Sequence, residues 1–233
     1  ERDTVTDLDT RIEREVRAYL QQTTPNIGFL GEEEGQHNTG SPDVWVLDPI
    51  DGTSNFVHGV PLCAVSLALV RDDKPVIGVI NAPFLGLHYR AIEGDGAYGN
   101  GTKLHASTTT NLAHAIISIG DYAVDVQAPT ENAVHLRLTA LLAERVERVR
   151  MFGSAALDLA WVAEGRTDGT IILGAKVWDS AAGAIIAREA GAVVIDATGK
   201  QHTPASADTI AAGPHLTGPL LAMVHDSAHS RRE

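Results

Sequence analysis

The spacing of apolar residues predicts a helix near the start of the chain. Ile12, Val16 and Leu20 recur every four positions and would share one face of that helix. Thr10 and Glu13 stand three positions apart, where a hydroxyl and a carboxyl can form a capping box at a helix start. We therefore expect the helix to begin near these two residues.

The pattern then changes to short apolar runs separated by turns, which is typical of strands. The segment DVWVLD (43–48) predicts a short buried strand. CAVSLALV (63–70) and KPVIGVINAP (74–83) are two further apolar runs, and the charged turn between them predicts a hairpin. The segment LHYRAIEGDGAYGNG (87–101) continues in the same style, with glycine-rich turns. The first half of the chain is therefore mixed, with several hairpins.

From about residue 115 the pattern alternates between helix and strand periodicity. HAIISIGD (114–121) predicts a strand, and 131–148 predicts an amphipathic helix with Leu138, Leu141, Leu142 and Val146 on its apolar side. The remaining expected elements are a helix at 155–164, a strand at 169–173, a helix at 179–190, strands at 192–196 and 209–213, and a helix at 217–226. We expect an N-terminal α+β half (1–114) and a C-terminal alternating α/β half (115–233) that pack as one body.

Composition limits the classes of protein that fit. The 233 residues are enough for a large core, and 44% hydrophobic with 21% charged residues is ordinary for a soluble globular protein. Cys63 is the single cysteine, which excludes an internal disulfide and favours the cytoplasm. No run is long enough to span a membrane. The net charge of −12 argues against nucleic-acid binding, although bound metal ions would still allow a phosphorylated substrate.

Two short motifs resemble known sites but fail on their context. Gly94 to Gly99 matches the dinucleotide pattern G-x-G-x-x-G, yet Asn100-Gly101 follows, and a hairpin turn is predicted instead of a helix. Asp7-Leu8-Asp9-Thr10 resembles the nucleophile loop of aspartyl-phosphate phosphatases, but no hydrophobic strand precedes it. The ten histidines have no metal-ligand spacing, so we assign them to the surface or the core.

The segment VLDPIDGTSNF is the strongest candidate for a chemical site. Asp48 and Asp51 flank Pro49, which favours an extended conformation at Asp48 and predicts that the strand ends there. The carbonyl of Ile50 would then point into the loop. Carboxylate and carbonyl oxygens are the ligands that Mg²⁺ prefers. Residues 52–54 follow at an expected helix N-terminus, which favours an anion, so the pattern predicts cations beside a phosphate.

Further carboxylates occur in two other segments. LGEEEG supplies Glu32, Glu33 and Glu34, and VWDSAAG supplies Asp179 at the head of an expected helix. Taken singly, three glutamates usually form a solvated loop and an aspartate before a helix is usually a cap. Together with D-P-I-D-G-T, in this order along the chain, they indicate a metal site.

These segments resemble the inositol monophosphatase family of metal-dependent, lithium-sensitive phosphatases. The segments that carry the resemblance are VTDLDTRIERE, GEEE, WVLDPIDGTSNF, GSAALDLAWVAEGRTD and VWDSAAGAIIAREAGA, which span nearly the whole chain. The resemblance implies a layered α-β-α-β-α sandwich, commonly a homodimer, and two to three Mg²⁺ per site, with Mn²⁺ as a possible substitute and Li⁺ as an inhibitor. Family members carry a helix ahead of the V-T segment, so part of the fold is expected to be missing here.

The resemblance also implies the metal ligands. Glu32, Asp48 and the carbonyl of Ile50 would hold the first metal ion. Asp48, Asp51 and Asp179 would hold the second, and a weaker third would lie near Glu32. These assignments place most of the ligands in the N-terminal half of the chain.

The same resemblance implies the catalytic and substrate-binding residues. Glu32, Thr53 and Asp9 would be catalytic, with Thr53 close to the attacking water and Asp9 supporting it. The amides of Gly52 and Thr53 would hold the phosphate, and residues 153–155 would face the alcohol part of the substrate. The full substrate-binding set is Asp51, Gly52, Thr53, Ser54, Gly153, Ser154, Ala155 and Asp179.

The expected reaction is hydrolysis of inositol-1-phosphate or a related polyol or sugar phosphate by a metal-activated water. Ile172 stands where family members that bind inositol hydroxyls place a glutamate, so we expect broad specificity; it could equally just continue a buried strand. Lys176 could contact a second anionic group. The alternatives are a histidinol-phosphate, fructose-1,6-bisphosphate or 3′-phosphoadenosine nucleotide phosphatase, or a non-catalytic, metal-stabilised interaction protein.

Overall fold

Two β-sheets and six α-helices build the described part of the chain. A computed structural model describes residues 6–38, 40–124 and 126–229, so the expectation about a segment ahead of the first helix falls outside the described residues. The helices are α1 (Asp7–Thr23), α2 (Thr53–Val57), α3 (Ala128–Arg145), α4 (Ala155–Ala163), α5 (Val177–Glu189) and α6 (Thr217–His229). The strands are β1 (Gly28–Gly31), β2 (Gly35–His37), β3 (Asp43–Asp51), β4 (Ala64–Arg71), β5 (Lys74–Ala82), β6 (Leu87–Ile92), β7 (Gly96–Gly99), β8 (Thr102–Lys103), β9 (Ile116–Ile119), β10 (Arg148–Arg150), β11 (Gly169–Ile172), β12 (Val193–Ile195) and β13 (Thr209–Ala212).

The strands divide between the sheets in chain order. The first sheet has the order β2-β1-β3-β4-β5-β6-β7-β8, and the second has the order β10-β9-β11-β13-β12. In the first sheet β1 lies parallel to β3, whereas every other described pair is antiparallel. In the second sheet β9 lies parallel to both β10 and β11. The boundary proposed between residues 114 and 115 falls between the two sheets and stays a prediction.

The helices form layers outside and between the sheets. α1 packs on one face of the first sheet, where Leu20 contacts a cluster that includes the buried Phe29 and Leu47. α4 and α5 lie between the two sheets and share one large core with both. α3 and α6 cover the outer face of the second sheet through residues such as Leu138 and Met223. This arrangement is the α-β-α-β-α sandwich that the family resemblance implied.

Side-chain alternation along single strands explains why both faces of each sheet are covered. In β3, Leu47 belongs to the cluster under α1, whereas its neighbour Val46 belongs to the core around α4 and α5. In β11, Ile171 faces α3 and α6, whereas Ile172 faces the middle layer. Full burial of such a side chain contributes about 1.5–3 kcal/mol, so each strand stabilises two layers at once.

Several predicted elements are confirmed with small shifts in their ends. The hairpin of β4 and β5 forms as expected, and its turn residues Asp72 and Asp73 both have a positive φ. The G-x-G-x-x-G segment lies in the β6–β7 turn and β7, and no helix follows it, which confirms the hairpin interpretation. The helix predicted at 131–148 is α3, which ends at Arg145, because β10 begins at Arg148.

The predicted start of the first helix is wrong. α1 begins at Asp7 with Thr6 as its N-cap, and the capping box is closed by Asp9, whose carboxyl accepts the Thr6 N–H at 2.9 Å. Thr10 and Glu13 therefore lie inside the helix. The pair Thr6 and Asp9 has the same three-residue spacing and precedes the Thr10–Glu13 pair, and it is the earlier pair that caps the helix. Glu13 takes no part in the cap, and its side chain is fully buried against another segment.

The predicted end of the third strand is also wrong. β3 runs on past Asp48 to Asp51, and its pairing with β4 shifts register between these two residues. Pro49 has no N–H to donate to the neighbouring strand. The register shift accommodates this missing hydrogen bond, so the strand continues past Pro49. Asp48 and Asp51 therefore stand on a distorted strand end and not on a free turn.

Four short elements were not predicted from the sequence: β1, β2, β8 and β10. Each is too short to carry a periodic pattern of its own. α5 also begins at Val177, two residues before the predicted start, and places Asp179 in its first turn. None of the helices in the described part of the chain has the length and apolar character that crossing a bilayer requires.

Candidate active site

A cavity of about 230 Å³ lies where the end of β3 meets the N-termini of α4 and α5. Most of the residues that the sequence singled out line this one cavity. They are Glu32, Asp48, Ile50, Asp51, Gly52, Thr53, Gly153, Ser154, Ala155 and Asp179. These residues are spread over nearly 150 positions of the chain, so the fold alone brings them together.

The distorted end of β3 carries the two central aspartates. Asp48 and Asp51 are buried, with 3% and 6% of their surface exposed. Ile50 between them also lines the cavity, and its carbonyl accepts a hydrogen bond from the Thr53 hydroxyl at 2.9 Å. The irregular strand end therefore brings Asp48, Ile50 and Asp51 to the same cavity.

Gly52 makes the sharp turn from β3 into α2. Its φ is +87°, and a Cβ at this position would lie 2.8 Å from the carbonyl oxygen of Leu62 and 2.9 Å from that of Gly153. A side chain is thus excluded by conformation and by space. The turn directs α2 away from the strand, and Thr53 becomes its first residue beside the cavity.

Asp51 is held by the N-terminus of α4. Its carboxyl accepts hydrogen bonds from the Ser154 hydroxyl and from the amides of Ala155 and Ala156, both at 3.0 Å. Free N–H groups and the helix dipole favour a negative charge at such an end. Ser154 and Ala155 line the cavity as predicted, but these donors bind Asp51, so their expected contact with substrate stays a prediction.

The other two carboxyls come from opposite sides. Glu32 follows β1, and its amide donates to the carbonyl of Leu47 in β3 at 3.2 Å, which extends the pairing of the two strands by one residue. Asp179 lies in the first turn of α5 and accepts the Lys176 N–H at 2.7 Å. Its carboxyl therefore caps the helix and also faces the cavity.

Burial and mutual repulsion disfavour ionisation of these carboxyls. Burial raises the pKa of Glu32 to about 7, and the nearby Asp179 adds to the rise. Burial also raises the pKa of Asp51 to about 7, although the Ser154 hydrogen bond opposes it. The pKa of Asp48 lies well above its usual range because of burial and the charge of Asp51. Burial raises the pKa of Asp179 as well, partly offset by the Lys176 amide.

The donor set fits a hard divalent cation. The four carboxyls and the Ile50 carbonyl supply oxygen only, and no lysine or arginine occurs among the described residues that line the cavity. Oδ1 of Asp48 is buried without a hydrogen-bond partner. Among residues 6–38, 40–124 and 126–229, no group of three or more acidic, histidine or cysteine side chains is placed so that it could hold a metal ion by itself. A cation would supply the charge that this wall lacks.

Asp9 and Ser54 are the two predicted site residues that do not line the cavity. Ser54 is exposed on α2. Asp9 is fully buried in α1, where one carboxyl oxygen binds Thr6 and the other has no partner. The Thr53 hydroxyl donates to Ile50 and not to Asp9. The proposed support of Thr53 by Asp9 therefore stays a prediction.

Two carboxyls of the cavity were missed from the sequence. Asp158 is 1% exposed and lies one helical turn after Ser154, and burial raises its pKa well above the usual range. An aspartate inside the apolar segment AALDLAWVA was the available signal. Asp121 follows β9 and lines the cavity as well, but it lies just after an apolar strand with no motif around it, and no pattern singled it out.

Comparisons with known proteins agree along most of the chain. A family model described as "Inositol monophosphatase family" matches residues 1–229. The inositol-1-monophosphatase ImpA of Mycolicibacterium smegmatis is 39% identical over 222 residues, which are 95% of this chain and 80% of that protein. A fructose-1,6-bisphosphatase/inositol-1-monophosphatase of Thermotoga maritima is 36% identical, covering 86% of this chain and 74% of that protein. A solved structure of a Thermotoga maritima IMPase superposes with a TM-score of 0.89 at 32% identity, covering 97% and 85% of the two chains.

Proposed function

Because the chain belongs to the inositol monophosphatase family, we propose that it is a Mg²⁺-dependent phosphomonoesterase acting on inositol-1-phosphate or a related small polyol or sugar phosphate. Family membership makes the chain a phosphoric monoester hydrolase. The observation that carries the proposal is the cavity in which Glu32, Asp48, Asp51 and Asp179 meet beside the Gly52 turn.

The carboxyls of this cavity would hold the metal ions. Glu32, Asp48 and the Ile50 carbonyl would bind one Mg²⁺, and Asp48, Asp51 and Asp179 a second, with a weaker third near Glu32. When bound, such ions lower the pKa of a coordinated water toward about 7 and offset negative charge on the phosphate. The raised pKa values of Glu32 and Asp51 support this assignment, because a cation would favour the ionised carboxylates that burial disfavours.

The rest of the cavity wall would position the substrate. The amides of Gly52 and Thr53 would bind the phosphate oxygens, as backbone amides at a tight turn commonly do. The Thr53 hydroxyl would orient the attacking water, with Asp9 supporting it, and the hydrogen bonds of α4 to Asp51 would keep that carboxyl in place. Gly153 would lie against the alcohol part of the substrate.

Substrate specificity is proposed to be broad. Ile172 is 6% exposed and lines the cavity, so it continues the buried strand and also occupies the position where a hydroxyl-binding glutamate was expected. A second cavity of about 680 Å³ adjoins the first through Asp121, Leu173 and Gly174 and leaves space for alcohol parts of different size. The exposed Lys176 lines that second cavity, where it could meet a second anionic group. The two activities named for the Thermotoga maritima relative are consistent with such breadth.

Phosphate release measured with and without Mg²⁺ tests the proposal. We expect activity only with the metal, and kcat/KM values within about 100-fold of each other for inositol-1-phosphate, glycerol-2-phosphate and a hexose monophosphate. A preference above about 10⁴-fold for one substrate would refute the broad specificity. A preference for histidinol phosphate or a nucleotide would move the function to another branch of the superfamily. No phosphate release from any substrate would favour the interaction protein.

Four further properties are proposed from the family resemblance alone. Mn²⁺ would replace Mg²⁺, and Li⁺ would inhibit. The protein would act in the cytoplasm as a homodimer. Each is open to a direct measurement: metal replacement, lithium titration, cell fractionation and light scattering.

A further inference from the structure

The carboxyl of Glu13 lies beneath the turn that carries Glu32. Its side chain is fully buried, and a buried carboxyl is costly unless it is hydrogen-bonded. Its Oε2 accepts the backbone N–H of Glu33 at 2.9 Å, and its Oε1 accepts the N–H of Glu34 at 2.9 Å. One side chain of α1 therefore binds both amides that follow Glu32.

Gly31 allows this close contact. A Cβ at position 31 would lie 2.2 Å from the Cδ and Oε1 atoms of Glu13, well inside any real contact distance. Any larger residue would force the Glu13 carboxyl away from the turn. The glycine just before Glu32 is thus required by the helix that packs beneath it.

Two further side chains of α1 hold the end of the same turn. Nε of Arg14 lies 2.6 Å from one carboxyl oxygen of Glu34, and Nη2 of Arg17 lies 2.8 Å from the other. The amides of Glu33 and Glu34 and the carboxylate of Glu34 therefore all bind α1. Of the three consecutive glutamates, Glu32 is the one whose side chain lines the cavity.

We propose that Glu13 is a positioning residue, which fixes the turn of residues 31–34 so that the Glu32 carboxyl faces the metal site. The role rests on the proposed metal binding by Glu32. Without the two hydrogen bonds, the turn would sample other conformations, and the ligand would have to be ordered each time a cation binds. Removing such an indirect partner of a metal ligand typically costs about 10–100-fold in metal affinity.

Glu13→Gln is the test variant, because it keeps the volume and replaces one carboxyl oxygen with an amide nitrogen that cannot accept a hydrogen bond. Gly31→Ala is the second variant, since it displaces the Glu13 carboxyl without removing it. Glu15→Gln is the matched control on the same helix, where the side chain is 72% exposed and pairs with Arg11. Each protein is assayed metal-free by hydrogen exchange, and then by calorimetry with Mn²⁺ and with Mg²⁺ alone.

We expect both test variants to exchange the amides of Glu33 and Glu34 at least about 10-fold faster than wild type, the scale for losing hydrogen bonds to a charged group. Their cation affinity per folded molecule should fall about 10–100-fold, with Glu15→Gln unchanged. Unaltered exchange in Glu13→Gln, or lower thermal stability with wild-type cation affinity, would overturn the inference. Wild-type protein that binds no divalent cation would instead count against the proposed function, while the exchange result still decides whether Glu13 fixes the turn.

Discussion

Replacing Ser154 by alanine tests whether α4 holds Asp51, a proposed metal ligand, in place. One hydroxyl makes two contacts: it donates to the buried Asp51 carboxyl, and it accepts the Leu157 N–H at 3.3 Å as the N-cap of α4. The substitution removes both contacts and leaves Asp51 with the amides of Ala155 and Ala156.

The cost follows from these two contacts. A hydrogen bond to a charged group contributes about 1.5–3 kcal/mol, and an N-cap hydroxyl contributes about 0.5–2 kcal/mol. The sum of about 2–5 kcal/mol is an upper range, because water entering from the cavity can replace the donor to Asp51. We therefore expect Ser154→Ala to lower the free energy of unfolding by about 2–3 kcal/mol. Cation affinity should also fall, by about 10–100-fold, because Asp51 loses one of three donors.

Urea unfolding of the metal-free protein measures the stability, and calorimetry with Mg²⁺ measures the affinity. Ser41→Ala is the control, because the Ser41 hydroxyl accepts the Asp43 N–H at 3.2 Å in a half-buried turn far from α4 in sequence. It should cost at most about 1 kcal/mol and leave the affinity unchanged. A Ser154→Ala protein that behaves like this control in both assays would refute the argument that α4 anchors Asp51.

Three more outcomes follow from the structure. Asp179→Ala should lower kcat by well over the ~100-fold typical of one electrostatic group, and near-normal turnover at saturating Mg²⁺ would exclude it as a ligand. Asp9→Asn should lower kcat less, by about 10–100-fold, because Asp9 stands outside the cavity wall. Calorimetry showing that this variant has lost a metal site would contradict the prediction. Burial and then the charge of Arg188 lower the pKa of His202 to about 4. Between about pH 6.5 and 4, His202 is therefore protonated in the unfolded chain but neutral in the folded protein. The stability that His202 contributes as a neutral side chain, up to about 3 kcal/mol, is therefore present above pH 6.5 and lost as the pH falls toward 4. The gap in unfolding free energy between wild type and His202→Gln should narrow over this range, and a constant gap would contradict the assignment.

The residues proposed as metal ligands were assigned through the family resemblance, and several of them lie in segments whose local chemistry already marks them as a candidate site. Asp48 and Asp51 flank a proline and precede a glycine that only a tight turn explains, and Asp179 begins a helix. Asp158 could not be identified from the sequence as a residue of the cavity. Its surroundings are apolar in sequence, and its place beside Asp51 depends on how α4 meets β3.

Local periodicity predicted most of the helices and the long strands, since an element of eight or more residues carries its own repeat of apolar positions. The hairpin β4–β5, the helices α3 to α6 and the shorter strands β9, β11, β12 and β13 were all expected near their observed positions. Short elements such as β1 and β2 carry no repeat, and their existence depends on pairing with β3.

Only the tertiary structure decided what the individual polar residues do. Glu13 fits a capping box by spacing, yet the preceding Thr6–Asp9 pair caps the helix, and Glu13 binds the turn of Glu33 and Glu34. The family resemblance assigned Ser154 and Ala155 to substrate contact, which stays a prediction; only the structure shows that the Ser154 hydroxyl and the Ala155 amide bind Asp51. Sequence spacing fixes which groups are close along one element. The partner of a buried polar group comes from another element, because burial without a hydrogen bond is costly and packing alone decides which donor is within reach.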